Sequence, residues 1–154
     1  MSILVLAFLL GVVSGLRALT APAAASWAAH SGLLHLQATP LAFLGYAFTP
    51  WIFTLLALGE IVNDKLPKTP SRTVPPQFIV RILSGAFVGA AIGASSHALA
   101  LGLITGALGA VAGTLGGAFI RARLAASFGR DLPAALTEDA FAILLALVVV
   151  TRVA

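Results

Sequence analysis

The sequence predicts an all-α, multi-pass transmembrane bundle of about five spanning helices with glycine-rich close packing. Apolar residues make up 60% of the 154 and charged residues only 9%, where soluble domains carry about a quarter charged. Mean hydropathy is +1.06. A single domain of this size cannot hide so much apolar surface from water, so most of it must face lipid or another helix. The apolar residues fall into five stretches near the roughly 20 residues a spanning helix needs, without the polar–apolar alternation of a β-barrel.

The first stretch covers residues 3–18, with a break expected near Thr20 to Pro22 and a short amphipathic piece at 23–30. No Lys or Arg precedes it and Arg17 interrupts it, so it reads as a retained helix rather than a cleaved signal. The second stretch is 40–62, the third 77–95, the fourth 99–124 and the fifth 133–152. Glycines mark how they pack. Gly85, Gly89 and Gly93 recur every four residues, and Gly102, Gly106, Gly109, Gly113 and Gly116 alternate steps of four and three. Such stripes let backbones approach closely inside one bundle, or else line a pore or a homo-oligomer seam.

Cations set the expected orientation. The segments 63–76 and 121–132 carry Lys65, Lys68, Arg72, Arg121, Arg123 and Arg130, while the turns before residue 40 and at 95–98 carry none. The positive-inside rule makes both basic loops cytoplasmic, with the N-terminus inside and the C-terminus outside a bacterial inner membrane. A likeness between "GVVSGLRAL" at 11–19 and "GGAFIRARL" at 116–124 raises an inverted repeat.

Charges at membrane depth are costly and mark sites. Arg17 either snorkels to the outer headgroups or turns inward to bind an anion or pair with a buried acid. Glu60 and Asp64 share one helix face, at the helix end where acids oppose the macrodipole. They need cations, and Lys65, Lys68, Arg72 and Arg81 are the nearest supply. The cluster is either a salt-bridged clamp or a polar site at the inner membrane face. Glu138 and Asp139 are secondary candidates, read as complementing a helix start that Thr137 or Asp131 would cap.

No Walker A loop, G-x-S-x-G elbow or carboxylate-rich metal motif is present. There is no cysteine, and His30, His35 and His97 stand apart. No catalytic residue, metal or cofactor is expected, and nucleic acid is not an expected partner despite the net charge of +4. Membrane lipids are the natural partners of such cations.

The run G-E-x-x-x-D-K-L-P-K-T-P-S-R from Gly59 to Arg72, with "GLRALTAPAAASW" upstream, resembles a family of small bacterial membrane proteins, domain of unknown function 4126. The likeness covers residues 11–94. It implies a multi-pass inner-membrane protein and carries no activity with it. The leading expectation is a transporter or channel for an anionic or phosphate-bearing solute or lipid. The alternative is a non-transporting scaffold that binds lipids or a partner through its basic loops.

Overall fold

The computed structural model describes residues 1–153, which form six α-helices and one short 3-10 turn, with no strand among the described residues. The helices are α1 (Ile3–Leu16), α2 (Thr20–His30), α3 (Thr49–Asn63), α4 (Pro75–Ala94), α5 (Leu99–Phe128) and α6 (Asp131–Thr151), and the turn is Ala42–Gly45. Three of them, α4, α5 and α6, are long and apolar enough to cross a membrane, which suggests a membrane protein. At 14 residues α1 reaches only about 21 Å, short of the roughly 30 Å hydrocarbon core.

Several boundaries differ from the expected ones, each for a local reason. The first break falls at Arg17–Leu19, upstream of the proline, because Pro22 is tolerated within the first turn of α2 but not deeper in a helix. The stretch 40–62 is not one helix. Pro50 lies in the first turn of α3 and cannot continue a helix from residue 46, so the 3-10 turn and an irregular link precede it. Arg121 and Arg123 lie inside α5, which meets no breaker until Gly129 takes φ 71. The linker after α5 is therefore much shorter than 121–132.

Close approaches fix the helix directions. A methyl on Gly109 would overlap the carbonyl of Phe8, and one on Gly113 that of Val12, so α1 and α5 run parallel. Gly106 abuts Gly85 and Gly102 abuts Gly89, so α4 runs antiparallel to α5. From the turn at Arg17, α2 heads back toward the end where α1 began. Ser26 Oγ donates to the Leu44 carbonyl at 2.5 Å, and Ala28 and Ala29 pack with Ala94 and Val150. Together α1 and α2 make a hairpin that enters the bundle and turns within it.

This hairpin overturns one expectation. α1 runs parallel to α5 from the end where α5 starts, and Val150 packs with Ala94 near the turn at that same end. The first and last helices therefore begin and finish at one end of the bundle, with the basic linkers at the other. A path with the N-terminus and C-terminus at opposite ends of the bundle does not fit these directions, because α1 and α2 together add no net traverse of it. The inverted-repeat pairing fails as well, since α1 and α5 point the same way.

Candidate functional site

The turn at Arg17 leaves orphan carbonyls at the end of α1 and orphan N–H groups at the start of α2. Side chains from α3 and α4 meet them. Glu60 accepts the Ala18 N–H at Oε1 and the Leu19 N–H at Oε2, both at 2.8 Å. Arg81 Nη1 donates to the Gly15 carbonyl at 3.0 Å and the Leu16 carbonyl at 2.8 Å. Ser84 Oγ donates to the Ala18 carbonyl. The negative end of α1 thus faces a guanidinium and the positive end of α2 a carboxylate, as the helix dipoles favour. Glu60 opposes the dipole of its own helix because it serves another. It also lies 3.7 Å from Arg81 Nη2, so that part of the expected clamp forms, with the hairpin turn held between its jaws.

Beside this clasp lies a lattice of ion pairs. Arg17 is fully buried and forks. Its Nε donates to Asp139 Oδ1 at 2.6 Å and its Nη2 to Asp64 Oδ2 at 2.8 Å. Arg17 therefore does not snorkel outward. The second oxygen of Asp139 takes Lys65. Glu138 takes both terminal nitrogens of Arg72, a bidentate pair. Arg121 donates to Asp64 at 2.7 Å and Asp131 at 2.6 Å, and lies 3.5 Å from Glu138. A Cβ at Gly117 would sit 2.9 Å from Arg72 Nη1 and 3.3 Å from Glu138 Oε1, so the bare backbone of α5 makes room for that pair.

All five acids of the chain take part in these ion pairs. Of the nine cations, Arg17, Lys65, Arg72, Arg81 and Arg121 are engaged. The four with no ion-pair partner among the described residues, Lys68, Arg123, Arg130 and Arg152, equal in number the formal net charge of +4. Burying charge in this way is tolerable only because each has partners and hydrogen bonds. Burial pushes the Asp64 carboxyl up, but Arg17 and Arg121 outweigh it and hold it below the usual carboxylate range.

Of the residues singled out from sequence, Arg17, Glu60, Asp64, Lys65, Arg72 and Arg81 converge on the hairpin turn, joined by Glu138 and Asp139. Lys68 is exposed and has no ion-pair partner among the described residues. Glu138 and Asp139 are central rather than secondary. They lie about 10 Å inside α6, too deep to serve its first turn. Neither Thr137 nor Asp131 caps α6. Thr137 Oγ1 donates back to the Pro133 carbonyl, and Asp131 pairs with Arg121. Sequence reasoning missed Arg121, counting it only as a topology signal. No local signal singles it out, since Arg17 in "GVVSGLRAL" falls opposite Ala122 in "GGAFIRARL". The parallel packing of α1 and α5 is what brings Arg17 and Arg121 to one carboxylate.

Two cavities border the lattice. One of about 440 Å³ is polar, lies under the 64–72 linker and is lined by Asp64, Lys65, Arg72, Arg121 and Asp131. The other, of about 450 Å³, is an apolar groove between α1, α5 and α6. At the turn itself, Thr20 Oγ1 and Arg81 Nε are buried without a hydrogen-bond partner among the described residues.

The fold and site define an all-helical protein with helices of membrane-crossing length and a buried charge lattice at the turn of an inserted hairpin. The chain matches the family described as Domain of unknown function (DUF4126) over residues 4–152 and belongs to it. The match carries the likeness seen in residues 11–94 through α5 and α6. No curated protein and no solved structure matches the chain.

Proposed function

We propose that the chain is a small inner-membrane transport protein, a transporter or channel for an anionic or phosphate-bearing solute or lipid. In this reading the polar cavity under the 64–72 linker is a cytoplasmic vestibule and the ion lattice is its closed gate. The observation that carries it is Arg17. A fully buried guanidinium at the turn of a broken helix, bonded to Asp64 and Asp139 beside a polar cavity, is costly to build. Packing alone does not require it, since apolar residues of similar volume often serve stability as well or better. Interrupted helices with irregular backbone are tolerated at membrane depth when protein or a water-filled cavity surrounds them. The unmet Thr20 Oγ1 and Arg81 Nε leave spare bonding capacity at the turn.

The positive-inside rule places Lys65, Lys68 and Arg72 in the cytoplasm. Both termini then face outward, and the glycine stripes of α1, α4 and α5 act as the packing seam. The test is flux. Purified protein in liposomes should release trapped inorganic phosphate or move a fluorescent anionic phospholipid between leaflets. Lys65→Gln should change the rate while the helical circular dichroism stays the same. Liposomes that match empty ones for both cargoes would sink the transport reading.

The completeness of the pairing favours a second reading, a scaffold whose lattice only holds the hairpin. Its unpaired Lys68, Arg123 and Arg130 would hold anionic lipids or a partner at the surface. Empty-liposome rates together with salt-sensitive vesicle binding would favour it.

A further inference from the structure

The polar cavity and the apolar groove share a wall. Arg121 borders both, and Glu138 lines the groove beside it. Val12, Leu16, Ile120 and Phe141 wall the groove over a floor of Gly113 and Gly116, and it opens on the outside of the bundle. From Ala112 to Leu124 it runs about 18 Å along α5, close to the depth of one leaflet of a hydrocarbon core roughly 30 Å thick.

The shared wall is balanced in charge, with Lys65, Arg72 and Arg121 against Asp64, Asp131 and Glu138, and the excess of positive charge lies beside it. The unpaired Lys68, Arg123 and Arg130 lie at the same end of the bundle. The wall also has a seam. Arg121 holds Glu138 at only 3.5 Å, against 2.7 Å for Asp64 and 2.6 Å for Asp131, and Glu138 keeps its bidentate Arg72. A phosphate can therefore replace Glu138 at this long contact of Arg121, because Arg72 neutralises Glu138 and the neighbouring cations without ion-pair partners offset the added negative charge.

We propose that the groove and Arg121 bind one anionic phospholipid, with an acyl chain along α5 and the phosphate on Arg121 at the mouth of the polar cavity. This rests on the transport reading and names its cargo as a lipid rather than a free solute. The chain supplies apolar burial, the arginine supplies headgroup selection, and the seam connects bilayer to vestibule.

Gly116 provides a clean test. A Cβ there meets nothing within 4 Å, so Gly116→Leu should fill the groove without disturbing the helices. The purified full chain is titrated in mild detergent with phosphatidylglycerol, with phosphatidylcholine of the same chains, and with inorganic phosphate, and retention is read by native mass spectrometry. One phosphatidylglycerol per chain is expected, held about tenfold more tightly than phosphatidylcholine. Gly116→Leu should weaken that retention about tenfold or more, with circular dichroism unchanged and Tm no lower, since replacing an open helical glycine does not destabilise the helix. Equal retention of the two lipids, no effect of Gly116→Leu, or displacement of the lipid by millimolar inorganic phosphate would overturn the proposal. Retention without movement between leaflets would overturn the transport reading and leave this site standing. Phosphate flux without lipid retention would do the reverse.

Discussion

Arg17 and Arg121, more than a hundred residues apart, donate to the same oxygen of Asp64, at 2.8 and 2.7 Å. One carboxylate at the end of α3 therefore ties the hairpin turn to α5, and Asp139 ties the same turn to α6. Removing the guanidinium leaves the buried Asp139 and the half-buried Asp64 each short of a cation. Arg17→Met should destabilise the fold by about 3–5 kcal/mol, measured as a fall in Tm in detergent. Arg17→Lys should recover only part of this, because a single ammonium cannot reproduce the fork. Equal stability of Arg17→Met and the natural chain would show that the lattice is dispensable for folding.

Glu60 offers two carboxylate oxygens to two N–H groups. Glu60→Gln replaces one acceptor with an amide that cannot accept, leaving a helix-start N–H unmet. The expected cost is about 1–3 kcal/mol, together with faster amide exchange at Ala18 and Leu19. Loss of flux in this variant alone would therefore not identify Glu60 as a transport residue.

The lowered Asp64 titration links stability to pH. A carboxyl whose folded value is depressed contributes stability that is fully present above its unfolded value, near about 3.9. That stability is lost as pH falls through the folded value. Melting temperature should thus drop below about pH 4, and less steeply in Asp64→Asn. A natural chain and variant with parallel pH profiles would contradict the assignment.

The glycines divide into two groups by what surrounds them. A methyl at Gly11 would overlap the backbone of Gly106, whereas one at Gly59 meets nothing within 4 Å. Gly11→Ala should cost about 1–3 kcal/mol through overpacking. Gly59→Ala should stabilise by about 0.4–1 kcal/mol. Paired thermal melts decide it, and the expected signs are opposite.

The hairpin makes a topological prediction. The chain has no cysteine, so single cysteines report cleanly. Ser2→Cys and Arg152→Cys should label from the same side of a vesicle, and Lys68→Cys from the other. Labelling of Ser2→Cys together with Lys68→Cys would restore the opposite-ends arrangement.

The helical class, the charged segment from Glu60 to Arg81 and the helix-breaking role of that segment's prolines are legible in the sequence. These follow from composition and from local backbone rules that act within a few residues. Tertiary structure alone decided that α1 and α2 fold back as a hairpin, which moved the N-terminus to the end opposite the basic linkers. It also decided the partners of each charge. Asp64 has Lys65 as its chain neighbour and Lys68 within one turn, yet it pairs with Arg17 and Arg121, and Glu60 serves a helix that begins forty residues before it. Hydropathy reports how greasy a segment is but not whether it crosses the bundle or turns inside it. Ion pairing in a dry interior depends on which helix faces meet there, and that is set by glycine contacts between α1, α4 and α5 that no single segment contains.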